Sequence, residues 1–257
     1  MDVGAVHKSS IQIPRLGEIV FNDVTWRMIF IVLLIMIVFS FLSTRKLKFF
    51  PSKKQSLLEM FVGGFFSILE GTLKDRTRKY FPFVATVFLF ILVSNIIGII
   101  PGMSSPTEDL NVCLSLALTV FFVAHFSGIC TKGLGGYLKS YGQPFIFMLP
   151  LNVIGEIGQT LSHCFRLFGN MFGGGVIFGM IPMVVFKVIS SVGGPDIVEK
   201  SFSQMGLAGG SLYALMAPVI SILYFVAYAF FGLFAGFVQA FVFAMLATTY
   251  ISMQLSD

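Results

Sequence analysis

Arg166 lies where a membrane helix would be expected to avoid charge. It stands in the run Leu161-Ser-His-Cys-Phe-Arg-Leu-Phe-Gly-Asn170, within a long apolar tract. Burying a guanidinium at bilayer depth costs from about 3 to more than about 10 kcal/mol, and an arginine does not escape that cost by losing its proton. Apolar sequence continues for many residues on both sides, so the side chain cannot reach a polar boundary. Arg166 is therefore a candidate functional residue that needs a partner or a water-filled cavity.

Small and amide residues accompany this arginine. Asn170 follows Arg166 by four positions, so the two side chains lie on the same face of a helix. Small residues allow a second membrane helix to approach closely, and glycines stand at 169, 173, 174 and 175. The pattern predicts a helix face that another helix can contact.

A related pattern occurs in the last apolar tract. Gly232, Gly236 and Ala240 repeat every four residues, beside Gln239 and followed by Tyr250. A buried amide often forms a hydrogen bond between two membrane helices. Gln239 is therefore equally compatible with such a structural bond and with a place in a functional site.

The other titratable residues of the apolar tracts are more ambiguous. Glu156 precedes Arg166 by ten residues, which puts it on roughly the same helix face, about 15 Å away. That separation is too long for an ion pair, so Glu156 is better interpreted as part of an aqueous route. His163 and His125 each favour a hydrogen-bonded core position over a ligand or relay.

Asp109 and Asn111 stand at the head of an apolar segment. Either they cap the start of a helix or they line the mouth of an ion pathway. The sequence contains no nucleophile–base pair, phosphate-binding loop or metal-binding motif, so it predicts no covalent chemistry, metal or cofactor. Three cysteines are interpreted as small packing residues in apolar surroundings; they are Cys113, Cys130 and Cys164.

Composition places these residues in a membrane protein. Hydrophobic residues make up 56% of the chain and charged residues 11%, whereas a soluble domain carries about 25% charge. The net charge of +5 does not indicate a nucleic-acid partner, because the basic residues cluster where loops would meet the membrane surface. The sequence predicts an all-α integral membrane protein with about five to six membrane helices.

Charge and hydropathy divide the chain into three parts. Residues 1–25 form an N-terminal extramembrane segment. Residues 26–79 contain a first span over 26–43, a basic cytoplasmic loop, and a segment over 55–73 that either lies in the membrane interface or packs as a short hairpin. Residues 80–257 form the membrane core. The distribution of basic residues predicts an outside N terminus and a cytoplasmic C terminus.

The core ends in two unusually long apolar tracts, at about residues 144–191 and 208–253. A perpendicular span needs only about 20 residues, so each tract is about twice as long as required. Each tract is either a hairpin of two short helices or one long, strongly tilted helix. No polar turn interrupts the middle of either tract, so we predict two long tilted helices.

Four runs of sequence match a known family. The chain from about residue 80 onward resembles subunit a of the F-type ATP synthase, and the N-terminal third agrees only in general character. The arginine run is highly specific, and its order relative to the glutamine run is independent support. The four runs are Asp109-Leu-Asn-Val112, Pro150-Leu-Asn-Val-Ile-Gly-Glu156, Arg166-Leu-Phe-Gly-Asn-Met171 and Gln239-Ala-Phe-Val-Phe243.

The resemblance implies the membrane stator of a rotary motor, with no catalytic site or cofactor of its own. The partners it implies are a ring of c subunits, the b subunits of the peripheral stalk and membrane lipid, in a bacterial plasma membrane. It makes Arg166 the essential arginine facing the c-ring, with Asn170 and Gln239 at the matching polar positions. It places Glu156 and Asp109 in the half-channel that opens opposite the catalytic head. The other candidates for ion translocation are Asn111, His163 and Tyr250.

Elementary electrostatics agrees with the role that the resemblance gives Arg166. Opposite charges about 4 Å apart attract by about 4 kcal/mol at an effective dielectric constant of about 20, which lowers a carboxyl pKa by roughly three. A c-ring carboxylate passing the arginine would release its ion, and on moving into lipid it would have to bind another. Two half-channels on opposite sides of Arg166 would turn these steps into rotation. Because a lysine lacks the fixed geometry of the guanidinium, we predict that Arg166→Lys does not support ion translocation.

One departure from the family concerns the coupling ion. Many proton-driven members carry a glutamate where this chain has Gly175 and a histidine where it has Gly232. Either Glu156, Asp109, His163 and water suffice for protons, or the coupling ion is sodium, which needs oxygen ligands. We predict protons and keep sodium as the alternative. A secondary transporter is a more distant alternative, since the inverted repeats usual in such proteins are not found in the sequence.

Overall fold

The computed structural model describes residues 8–13, 17–45, 52–100, 102–141, 147, 149–193 and 207–255. A two-stranded sheet precedes a set of helices in this part of the chain. Single 3-10 turns at Lys74–Arg76 and Pro106–Glu108 precede the third and fourth helices. The elements are β1 (Lys8–Ile13), β2 (Gly17–Asn22), α1 (Asp23–Thr44), α2 (Lys53–Leu73), α3 (Thr77–Gly98), α4 (Leu110–Tyr141), α5 (Leu149–Gly193) and α6 (Leu207–Leu255).

Most of the described chain is helix of membrane-spanning character. This confirms the prediction of an all-α integral membrane protein with about five to six membrane helices. The antiparallel pair β1–β2, in which Lys8 lies opposite Asn22, stands before the first span and was not predicted. Five stretches among the described residues are long and apolar enough to cross a membrane: Asp23–Thr44, Gln55–Gly98, Leu110–Lys139, Leu149–Ile181 and Ile222–Leu255.

Each of the two long apolar tracts forms one continuous helix. The α5 helix has 45 residues and the α6 helix 49, so at 1.5 Å per residue they are about 68 and 74 Å long. The helices continue through Pro182 and Pro218. The alternative of two short helices per tract is therefore wrong.

The segment over residues 55–73 is also a single helix. Its buried side chains, Phe65, Leu69 and Leu73, recur every four residues and form one stripe against the rest of the protein, as expected of an amphipathic helix. Glu59 and Glu70 are exposed. The alternative of a short hairpin is therefore wrong, because Lys53–Leu73 is one unbroken helix whose buried stripe faces the core.

The α6 helix is the centre of the packing. It contacts α2, α3, α4 and α5, and its buried Phe243 and Ala247 belong to the main hydrophobic cluster. Glycines let α3 approach it closely: a Cβ atom at Gly236 would lie 2.8 Å from Asn95 Cβ, and one at Gly232 would lie 2.9 Å from Ile99 Cγ1. Side chains at these two positions would have to displace α3, so the row that contains them is a packing surface within the chain.

Two ends of the helix bundle differ in charge. At one end, Arg76 Nη1 donates to Leu255 O (3.4 Å) and Ser252 Oγ donates to Thr72 O (3.0 Å), so the end of α6 lies beside the basic segment 74–79. We call this the basic end. At the other end, called the acidic end, Glu108 and Asp109 precede α4.

The α4 helix is interrupted where the sequence predicted a glycine-rich connector. Gly133 has a φ of 72° and a ψ of 159°, a conformation that side chains rarely adopt. Lys132 precedes this break, and Lys139 lies in the helical stretch that follows it. The break therefore redirects the chain at the basic end, after the long part of α4 has crossed the bundle.

Candidate functional site

One face of α5 carries the arginine and stays open. Arg166, Gly169, Asn170 and Gly173 follow the i, i+3, i+4, i+7 pattern of a single helix face, and none of them is buried. A Cβ atom built at Gly169, Gly173, Gly174 or Gly175 would meet no atom within 4 Å. We call the four positions from Arg166 to Gly173 the open face. It has the small residues that close helix approach requires, and no described part of the chain covers it.

The arginine itself lies near the middle of the Leu149–Ile181 stretch. It makes no hydrogen bond or ion pair with the described residues; the contact of this kind found among them joins His125 and Glu156, and it is an ion pair only when His125 is protonated. Its charge lies close enough to act electrostatically on His163 and Tyr250. A cation exposed at this depth would be costly without an anionic partner.

The two amides that the sequence singled out are joined. Asn170 Nδ2 donates a short hydrogen bond to Gln239 Oε1, which links α5 to α6. Gln239 is 3% exposed, and its Nε2 has no hydrogen-bond partner among the described residues. The structural bond between helices is therefore present, and the glutamine also keeps donor capacity beside the open face.

His163 occupies a buried position between α5 and α6. Its Nε2 donates to Phe243 O at 3.3 Å, and its ring lies 4.3 Å from the Phe243 ring and 5.2 Å from the Tyr250 ring. Such a backbone hydrogen bond satisfies the polar atom of a buried histidine. The side chain lies one helical turn from Arg166, towards the basic end.

A cavity of about 690 Å³ opens among α4, α5 and α6. Its lining includes Lys132 and Gln254 at the basic end, Glu156 along its wall, and His163 and Tyr250. Glu156 therefore borders a space large enough for several water molecules. The cavity extends along α5 from the basic end to within one turn of Arg166.

Glu156 is held by side chains from two other helices. His125 Nε2 lies 2.5 Å from Glu156 Oε2, and Gln254 Nε2 donates to Glu156 Oε1 at 2.6 Å. His125 Nδ1 lies 2.9 Å from Phe121 O. His125 was not among the predicted ion-translocation residues, because no spacing rule pairs a histidine with a carboxylate 31 residues away on another helix.

Asp109 caps α4. Its Oδ1 accepts from the Asn111 backbone N–H at 3.0 Å and its Oδ2 accepts from Thr25 Oγ1 at 3.1 Å, which is the geometry of an N-cap carboxylate. The Asn111 side chain is exposed. Next to this cap, burial raises the pKa of Glu108, although a hydrogen bond from the Ser105 backbone opposes the shift.

The structure separates Asp109 from Glu156. Asp109 stands before the start of α4, whereas Glu156 contacts His125, about 22 Å further along that helix. This placement does not favour the expectation that both residues lie in one half-channel: Asp109 is at the acidic end and Glu156 is on the wall of the cavity at the basic end. The resemblance gave both residues a family position but carried no information about depth.

The cysteines divide into two kinds. Cys113 and Cys164 are buried and Cys130 is exposed, so the packing interpretation holds for the first two and is wrong for Cys130. Among the described residues, no group of three or more His, Cys, Asp or Glu side chains could hold a metal ion.

Fold and site together define a multi-pass integral membrane protein with an uncompensated cation on one of its helices. The chain matches the family described as ATP synthase A chain over residues 26–252. It is 35% identical over 221 residues to the ATP synthase subunit a of Moorella thermoacetica, covering 85% of this chain and 95% of that one. It is also 36% identical over 197 residues to the subunit a of Albidiferax ferrireducens, covering 76% and 81% respectively. The chain belongs to the ATP synthase A chain family, as the resemblance predicted.

Proposed function

We propose that this chain is the ion-translocating stator subunit of an F-type ATP synthase, with Arg166 facing a rotating ring of c subunits. The observation that carries the proposal is the open face of α5, where an exposed guanidinium lies beside glycines that nothing in the described chain covers. A ring carboxylate would supply the missing anion, and the glycines would let the ring helices come close. In this role the subunit moves ions and performs no ATP chemistry itself.

The amides next to Arg166 would complete the contact with the ring. Asn170 is exposed beside the arginine, and Gln239, which accepts a hydrogen bond from it, lies buried behind it with an Nε2 group that has no partner among the described residues. Neutral donors of this kind stabilise an ionised carboxylate through hydrogen bonds. Together with the arginine they would keep a ring carboxylate charged after it has released its ion.

Two aqueous half-channels would reach Arg166 from opposite ends of the bundle. The cavity lined by Glu156, His163 and Tyr250 would be the half-channel of the basic end. The acidic end, with Glu108 and Asp109, would be the mouth of the other. The positive guanidinium between them would repel cations and so prevent direct leakage from one half-channel to the other.

The charge of the two ends indicates how the subunit would sit in the membrane. Basic residues are retained on the cytoplasmic side, so the basic end and the C terminus would face the cytoplasm and the N terminus would lie outside. The 33-residue apolar stretch of α5 is about 50 Å long, against a hydrocarbon core of about 30 Å, so it would tilt by about 50°. A tilted α5 would lay its open face along the ring, and the peripheral stalk b subunits would hold the subunit in place.

The proposal is tested by ATP-driven ion pumping of the whole complex in liposomes. Arg166→Ala and Arg166→Lys are compared with wild type and with Arg78→Ala, which removes an exposed arginine at the basic end. Proton and sodium uptake are both recorded, with and without a protonophore. Assembly is verified by recovery of the c-ring with each variant.

We expect both Arg166 variants to lose pumping by at least about a hundredfold while the complex still assembles, because the charge and its fork geometry are both needed. Arg78→Ala should pump as wild type does. Unchanged pumping by Arg166→Ala would disprove the proposed role of the open face. Uptake of ions by the purified subunit alone would favour a secondary transporter.

A further inference from the structure

We infer that His125 and Glu156 share one exchangeable proton, and that this pair is a proton-loading site in the cavity of the basic end. The inference rests on the proposed function and names the ion that enters this half-channel as a proton. It gives a function to His125, which lies on α4 and outside the open face of α5.

The contact between His125 and the Phe121 carbonyl shows where one proton of the imidazole lies. His125 Nδ1 lies 2.9 Å from Phe121 O. A carbonyl oxygen can only accept a hydrogen bond, so Nδ1 must carry a hydrogen and donate it. The other ring nitrogen, Nε2, therefore carries a hydrogen only if the imidazole is positively charged.

A second proton follows from the contact with Glu156. His125 Nε2 and Glu156 Oε2 lie 2.5 Å apart, a distance at which a hydrogen must stand between the two atoms. Either the imidazole is protonated and Glu156 is a carboxylate, or the imidazole is neutral and Glu156 is a carboxylic acid. Both descriptions contain one proton more than a neutral imidazole beside a carboxylate, so the pair is loaded in either case.

Removing this proton would break the contact. The Nε2 lone pair would then face the lone pairs of a carboxylate oxygen, and the two side chains would have to separate or admit a water molecule. The adjoining cavity supplies room for that water. Proton release is therefore linked to opening of the pair, which makes it a site that can accept a proton from one side and pass it on.

The surroundings favour a proton over a sodium ion. One Glu156 oxygen faces His125 Nε2, and the other accepts from Gln254 Nε2 at 2.6 Å. These N–H groups point their positive ends at the carboxylate, whereas sodium would require oxygen ligands. The other titratable or charged groups around the cavity and the pair are Lys132 and Tyr137 on α4, His163 on α5 and Tyr250 on α6.

The test is the pH dependence of ATP-driven pumping by the complete complex in liposomes. The variants are His125→Gln and Glu156→Gln, which keep polar side chains but cannot hold the shared proton. The matched control is Phe122→Leu, on the exposed side of the same helix. A second readout is the infrared difference spectrum of the purified complex between two pH values, in which wild type should show carboxyl or imidazole bands that Glu156→Gln lacks.

We expect each variant to lower proton pumping at least about tenfold and to flatten its pH profile, while Phe122→Leu keeps the wild-type profile. Wild-type rates and profiles in both variants would overturn the inference, as would sodium uptake that persists in the presence of a protonophore. If Arg166→Ala abolishes pumping but His125→Gln does not change it, the proton-loading site is wrong and the proposed function stands. If Arg166→Ala pumps normally, the proposed function itself has failed.

Discussion

The α5 and α6 helices both contain a row of small residues, but only the row on α6 is packed against another described part of the chain. Each has small residues recurring at helical spacing. We call Gly232 and Gly236 on α6 the filled row, and Gly169 and Gly173 on α5 the open row. On α6, Asn95 of α3 and Ile99, just after α3, fill the space beside Gly236 and Gly232, whereas no atom stands within 4 Å of a Cβ atom at Gly169 or Gly173 on α5. A row of small residues therefore shows that a close contact is possible, but not whether another part of the same chain makes it.

The two rows differ in whether the polar side chains beside them have hydrogen-bond partners within the described chain. Beside the filled row, Asn95 Nδ2 donates to Gly236 O at 3.1 Å and its Oδ1 accepts from Thr107 Oγ1 at 2.8 Å, so both ends of this amide are satisfied internally. Beside the open row, Arg166 has no hydrogen bond or ion pair with the described residues, and Gln239 Nε2 has no hydrogen-bond partner among them. The exposed Arg166 without such a partner, next to small residues, supports the proposal that another molecule completes this face.

The largest effect is expected from filling the open row. Gly169→Leu adds a bulky side chain one turn from Arg166, where the chain itself has free space. We expect ATP-driven pumping by the whole complex to fall at least about tenfold, because the ring helices could no longer approach closely. The thermal stability of the isolated subunit in detergent should stay as in wild type. A large loss of that stability would show that the row packs within the chain after all.

A smaller effect is expected from overfilling the α6 row. Gly236→Leu would place a Cβ atom 2.8 Å from Asn95 Cβ, and overpacking of this kind costs about 1–3 kcal/mol. The melting temperature of the isolated subunit in detergent should fall by several degrees. Gly63→Leu, at an exposed position on α2 with no atom within 4 Å of its Cβ, is the control and should melt as wild type does. Equal melting temperatures for both variants would contradict the close contact between α3 and α6.

The smallest effect is expected on the stability contributed by Glu108, which lies in the 3-10 turn Pro106–Glu108 at the acidic end. Burial raises the pKa of Glu108, so the folded state favours its protonated form. That contribution to stability is fully present below the ordinary pKa of a glutamate and is lost as the pH rises through the raised value. Glu108→Gln stays neutral, so it should melt slightly above wild type at pH 8 and equally at pH 4. A gain that does not change with pH would show that ionisation of Glu108 is not its cause.

Hydropathy and local spacing predicted the parts of the fold that depend on burial alone. The membrane spans and the two long helices follow from apolar runs, and Arg166 and Asn170 share a face because they are four residues apart. The β1–β2 pair was missed because residues 1–25 have mixed composition with no strong alternation. The choice between one helix and a hairpin over residues 55–73 depended on tertiary contacts of Phe65 and Leu69 with the core.

The parts of the site that join distant segments were not predictable. His125 and Glu156 meet because α4 and α5 pack side by side, and nothing in their 31-residue separation indicates the contact. The separation of Asp109 from Glu156 along the bundle was not predictable, because a family position gives no depth in the membrane. The bond between Asn170 and Gln239 was closer to being predictable, since polar side chains on two membrane helices often join them by a hydrogen bond.

The central place of α6 has a consequence for biosynthesis. Asn95 and the backbone acceptor that it uses, Gly236 O, are 141 residues apart, so α3 is translated and inserted long before its partner exists. Until α6 arrives, the Asn95 amide lacks that acceptor, and an unsatisfied amide in an apolar medium costs roughly 2–7 kcal/mol. The early helices must therefore wait in an unfinished bundle, held by the insertion machinery or by transient polar contacts, until α6 enters and completes the core.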